Sequence, residues 1–183
     1  MDFEQLLSDS HRLTMEMAAK DIGSDAQLIE ELFELSLKQL PQLSMRASRV
    51  FDLCCETDHE LEMAYVNRMV EHLPKLHHDS VKRNFLHILT RGHQPLTEKN
   101  WTQLLNCSLN WLVSPQQATA VRAYCMDVLY NLVQDEPELK SEVIYALEAA
   151  CIESSAAVRG RAKRFMKALD KKGALPQGVE DDF

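Results

Sequence analysis

Glycine and proline are scarce in this chain, at 5 and 6 of 183 residues, and aromatic residues make up only 7%. So few chain-breaking residues exclude an all-β design, which spends turn residues about every 8–12 positions. No stretch alternates apolar and polar side chains for long enough to read as a useful strand. The five cysteines, Cys54, Cys55, Cys107, Cys125 and Cys151, are odd in number and include no CxxC. That spacing argues against a disulfide framework or a zinc ribbon and fits reduced thiols in a cytoplasmic setting. No window approaches the apolar length of a membrane span, and the acidic start MDFEQLLSDSHRL is not expected to be a secretory signal. A P-loop, a dinucleotide fingerprint, HExxH, a kinase signature and a Ser-His-Asp order are all missing. No catalytic set, cofactor or metal is therefore expected.

What the chain has in quantity is aliphatic residues, methionine and alanine, which is helical composition. Val121, Cys125, Val128, Leu129 and Leu132 fall on one stripe of a helix, at i, i+4, i+7, i+8 and i+11. The same frame recurs at Val158, Ala162, Phe165, Met166 and Leu169, at Val81, Phe85, Ile88 and Leu89, and at Leu43, Ala47, Val50, Phe51 and Cys54. The four starts are separated by 38, 40 and 37 residues, a period that marks stacked helix pairs.

Helix punctuation divides the chain accordingly. Residues 1–23 read as a capping helix over 3–21, with Leu6, Leu7, Leu13, Met17 and Ala18 as its apolar positions and Gly23 as its stop. Repeats are expected at about 24–56, 57–92, 97–134 and 136–172, followed by a flexible acidic tail at 173–183. Ser24 with Gln27 and Thr57 with Glu60 have capping-box spacing, and Thr97 can cap a helix that carries Trp101 and Trp111. Ser114-Pro115-Gln116-Gln117 is the strongest helix start, with an N-cap serine and proline in the first turn. Asp135-Glu136-Pro137-Glu138 starts the next helix by the same logic, and Ser154 or Ser155 the last. The expected fold is all-α: a right-handed α-α superhelix, a short solenoid of about four helix hairpins behind an N-terminal cap.

Val121-Arg122 and Val158-Arg159, with Val81-Lys82 as a weaker copy, place an apolar residue before a basic one near the start of each second helix. The repeated unit thereby resembles the HEAT-like repeats of the armadillo-type superhelix, over roughly residues 24–172. Leu43-Ser44 departs from the pattern, and of the aspartates that often precede the pair only Asp79 is in place. The resemblance implies that second helices line a concave face where a partner binds. Opposite the apolar stripe, six residues past each frame start, stand Arg49, His87, Asp127 and Arg164. Nine past stand Asp52, Thr90, Tyr130 and Lys167, and Gln134 follows at the thirteenth step of the third copy. The candidate binding set is Arg49, Asp52, His87, Asp127, Tyr130, Gln134, Arg164 and Lys167. No position repeats its chemistry, which argues against a one-residue-per-base code.

Charge weighs on the partner. The net charge is −8, split as −9 over residues 1–62, +3 over 63–134 and −2 over 135–183. A protein partner with an asymmetric charge pattern suits that gradient, whereas nucleic acid is disfavoured and no membrane is implied. The basic run Arg159, Arg161, Lys163, Arg164, Lys167, Lys171 and Lys172 could hold phosphates, or could simply oppose a helix dipole. Some HEAT-like folds are glycosylases for alkylated DNA bases, and Asp127, Tyr130 and Arg164 come nearest to such a site. Six of the seven histidines lie between His59 and His93, and His77-His78 beside His72 and Glu71 raise a metal reading, against which stands a solvated loop. The vicinal Cys54-Cys55 reads as one buried and one flanking thiol rather than a redox pair. Two functions therefore stand: a non-enzymatic protein-interaction scaffold, and a nucleic-acid-acting relative of the glycosylases. The oligomeric state is left open.

Overall fold

The computed structural model describes residues 2–91, 95–152 and 154–171. Gly92, the expected stop of the second repeat, lies outside the described residues, as does the tail at 173–183. Among the described residues every regular element is helical: α1 (Phe3–Leu6), α2 (Arg12–Ile22), α3 (Ala26–Leu37), α4 (Leu43–Thr57), α5 (His59–His72) and α6 (Asp79–Leu89), then α7 (Glu98–Val113), α8 (Thr119–Asp135), α9 (Lys140–Cys151) and α10 (Ala156–Lys171). Short 3-10 turns at Leu73–Lys75 and Pro137–Leu139 carry Pro74 and Pro137 in their first turns. The chain forms two compact units, one through Asn100 and one from Trp101.

In the first unit α3 packs on α4, α4 on α6, and α2 on α4. The frame residues Ala47, Val50, Phe51, Val81, Phe85 and Ile88 are all fully buried. Phe33 stacks on Phe85 with centroids 5.8 Å apart and meets Phe51 at 5.3 Å, so three helices share one aromatic centre. In the second unit α10 packs on both α9 and α8. Val121, Cys125, Val128 and Leu129 are buried, as are Val158, Ala162 and Phe165.

Several local expectations shift. The first helix breaks at Leu7, and α2 buries Met15, Ala18 and Ile22 while Leu13 and Met17 stay exposed. Leu13 and Met17 stand on the side of α2 opposite that packed face, and Ala18 is the expected apolar position of α2 that lies within it. Gly23 does end α2, with φ of 53°. Caps fall one residue later than the serine and threonine signals suggest: Asp25 accepts from the N–H groups of Gln27 and Leu28, and Asp58 from Leu61. A carboxylate is the stronger acceptor for those free amides and wins the position. Ser114-Pro115-Gln116-Gln117 opens no helix; it is a turn, and α8 starts at Thr119 without a side-chain cap. Thr97 and Ser155 do cap their helices, accepting from the N–H groups of Asn100 and Val158.

Candidate functional site

In three of the four copies the residue after the frame start is buried although polar; Arg159, in the fourth, is exposed. Ser44 is fully buried, Lys82 is 6% exposed and Arg122 5%. Arg122 Nε donates to the Leu112 carbonyl at 2.9 Å, and its Nη2 to the Ala150 carbonyl at 3.0 Å and Ser154 Oγ at 2.8 Å. Those carbonyls lie in the last turns of α7 and α9, where acceptors lack helical partners and the dipole is negative. Burial pushes the Arg122 guanidinium below its ordinary value, yet it stays the cation that ties two helix ends to α8. Ser44 performs a smaller version of that task. Its hydroxyl donates to the Leu35 carbonyl at 2.6 Å and accepts from the Leu40 N–H. The position that departs from the arginine pattern by letter therefore keeps the job of satisfying a first-helix carbonyl.

Arg49, Asp52 and His87 come together between α4 and α6. Asp52 is fully buried rather than facing solvent. Its Oδ2 accepts from Arg49 Nη1 at 2.6 Å and from His87 Nδ1 at 2.9 Å, and its Oδ1 accepts from Arg91. Arg91 also reaches Glu56 at 3.3 Å and the buried Glu62 at 3.6 Å. Burying a carboxylate is costly, and ionic donors on both oxygens offset that cost. Arg91, just past the end of α6, is the residue that sequence reasoning missed; its spacing of four from His87 was the available signal.

Asp52, Glu56 and His87 each present a ligand atom, all within 4.8 Å of one another. Two guanidinium groups engage Asp52, so positive charge already stands where a metal's would. The His-Asp pair has the form of an oriented base, but the thiol within its electrostatic reach, Cys55, is buried, and burial pushes it well above the ordinary thiol range in spite of Arg91. Cys54 is buried as well and pushed up to about 11 by burial and then Asp58. Neither member of the vicinal pair flanks the core. Both are inside it and protonated.

In the second unit Asp127 pairs with Arg161 at 2.5 Å rather than with Arg164. Arg161 also lies over the Phe165 ring at 5.5 Å, and Phe165 meets Tyr130 edge-on at 5.7 Å. Tyr130 is only 7% exposed and belongs to the packing between α8 and α10. Gln134, Arg164 and Lys167 are exposed, and Arg164 and Lys167 make no ion pair with another described residue.

Two further groups are accounted for by packing. His77 and His78 sit on a loop, as expected; His78 Nε2 donates to the Pro41 carbonyl at 2.6 Å while Nδ1 accepts from the Ser80 N–H. Both ring nitrogens are in use, which leaves neither for a metal. Glu30 accepts both prongs of Arg68, at 2.6 and 2.8 Å, and the Tyr65 hydroxyl at 2.7 Å. Arg68 and then Tyr65 hold its carboxyl down to about 2. An open acidic cleft of about 540 Å³ lies beside it, with Glu31, Glu34, Asp2 and Glu4 in its walls.

Helix pairs with an inward apolar frame, joined in α4 and α8 by a buried donor at the start of the second helix that satisfies first-helix carbonyls, define a helical-hairpin repeat protein. A family model described as a HEAT repeat domain matches residues 3–169, and the chain belongs to that family. No match was found among curated proteins or solved structures. Among the described residues no helix is long and apolar enough to cross a membrane.

Proposed function

We propose that the chain is a non-enzymatic, cytoplasmic interaction scaffold that holds an acidic segment of a partner protein against the face shared by α8 and α10. The observation that carries this reading is the contrast between the two groups of candidate residues. Arg49, Asp52 and His87 are consumed by one another and by Arg91. Arg164 and Lys167 are exposed without a counter-ion among the described residues, next to an α8 that offers Gln134. Exposed, unpaired cations beside a polar donor suit carboxylates on a partner.

The test is affinity capture by the full chain and by Arg164→Glu from nuclease-treated extract, with mass spectrometry of what is retained. The expected result is a protein set held by the wild type and lost from the variant as ionic strength rises. Retention of nucleic acid in untreated extract, with no protein surviving nuclease, would favour the glycosylase-like reading instead.

A further inference from the structure

The second helices α4 and α8 bury two stripes, not one. Besides the frame residues, α4 buries Ser44, Ser48 and Asp52, and α8 buries Arg122, Met126 and Tyr130, at steps of four. The second stripe meets the next second helix: Ser48 accepts from Asn84 of α6 at 2.9 Å, Asp52 binds His87 of α6, and Tyr130 packs on Phe165 of α10. In α10 the same steps carry Arg159, Lys163 and Lys167, and all three are exposed. Arg159 donates to the Ser154 carbonyl, while Lys163 and Lys167 have no partner among the described residues.

Ala156, Gly160, Lys163 and Lys167 stand at i, i+4, i+7 and i+11, and all are exposed, so they form one open strip of helix surface. Glycine weakens a helix interior relative to alanine, so its presence needs a reason. A Cβ on Gly160 would meet nothing within 4 Å. Nothing packed against α10 among the described residues supplies that reason, whereas a close helix would.

We propose that this face of α10 docks an acidic α-helix of a partner protein, in the place that α6 takes on α4 and α10 takes on α8. The inference rests on the reading of the chain as a scaffold and names the mode and chemistry of its partner. Ala156 and Gly160 let the partner's backbone approach, and Arg159, Lys163 and Lys167 meet its carboxylates. Continuity with the α8–α10 packing sets the direction in which the incoming helix lies.

The probe is a fluorescein-labelled amphipathic peptide of glutamate, alanine and leucine, about 18 residues long so that it holds a helix in water, titrated with the full chain at low ionic strength. The expected result is saturable binding that weakens steeply with salt. Gly160→Leu should fold at or above the wild-type unfolding temperature, since its side chain enters open space, and bind at least about tenfold more weakly. Lys163→Glu with Lys167→Glu should lose binding to the same degree, and Lys20→Glu, at an exposed position of α2, should leave it within about threefold of wild type. No binding by the wild type, equal binding of a proline-interrupted or glutamine-substituted peptide, or tighter binding of duplex DNA each overturns the proposal. So does a gain of affinity in Glu180→Gln with Asp181→Asn and Asp182→Asn, which would make the chain's own acids the occupant. Peptide binding lost on Arg164→Glu but kept in Gly160→Leu would return the partner to the α8–α10 face and remove only the edge-docking mode.

Discussion

His87 donates from Nδ1 to Oδ2 of Asp52 across 2.9 Å, joining α6 to α4 through a carboxylate with no solvent exposure. The bond makes Asp52 a structural residue, although its place in the helical frame suggests a binding face. Its donors differ in exposure, at 21% for the Arg91 side chain, 25% for His87 and 38% for Arg49. Their removal should therefore have unequal consequences.

Asp52→Ala leaves Arg91 and His87 turned toward an empty acceptor and should cost about 3 kcal/mol of unfolding free energy. Arg49→Ala removes only an exposed partner and should cost about 0.5 kcal/mol. Urea unfolding of the two variants beside the wild type checks the ratio. Equal losses would mean that Asp52 is not the hub of the cluster.

Arg122 satisfies the Leu112 and Ala150 carbonyls at once. Arg122→Met keeps the aliphatic stem and removes the donors, and should cost about 2–3 kcal/mol. Arg122→Lys should recover little of that, because one ammonium cannot reproduce the fork that reaches two helix ends. Thermal unfolding of both variants tests this, and full recovery by lysine would contradict it.

The Glu30 carboxyl has a folded value near 2 against an ordinary 4.5, held down by Arg68 and Tyr65. A lowered value stabilises the fold above the unfolded pKa and loses that contribution as the pH falls from about 4.5 toward 2. The Glu30 side chain is 44% exposed, so solvent screening leaves less than about 1 kcal/mol. The gap in stability between wild type and Arg68→Met should narrow over that window. A residue should remain from the Arg68 guanidinium over Phe33 at 4.6 Å, which does not titrate there. Chemical unfolding at several pH values between about 7 and 2.5 reads the gap directly.

Cys54, Cys55 and Cys125 are buried, Cys107 and Cys151 are partly open, and burial pushes the Cys107 thiol up. Iodoacetamide applied to the native chain should label Cys151 first and spare Cys54 and Cys55 until unfolding. Peptide mapping over time checks the order. Early labelling of the vicinal pair, or a Cys54–Cys55 disulfide formed in mild oxidant without unfolding, would contradict it.

The helix pairs were legible because a single stripe repeats with little error: of the frame residues Val121 through Leu132, none is more than 5% exposed. The second stripe was not. In α8 it reads Arg122, Met126, Tyr130, and in α4 Ser44, Ser48, Asp52, letters that look like solvent-facing residues until a neighbouring second helix covers them. Hence Arg49, His87, Asp127 and Arg164, six steps past each start, stay at least partly open, while Asp52 and Tyr130 at the ninth step are buried. Asp25 and Asp58 show the same limit at helix starts, where two polar residues in succession compete for the cap and only geometry decides.

An interaction scaffold of this kind requires a protein partner that meets α10 through acidic residues. The most direct measurement places a photo-crosslinking amino acid at Lys167 of the full chain, irradiates it in cell extract, and sequences the captured peptides. The expected result is discrete protein adducts whose captured peptides are rich in aspartate and glutamate, and which disappear in competition with the acidic helix peptide. Adducts to nucleic acid, or to peptides with no acidic bias that persist under that competition, would contradict it.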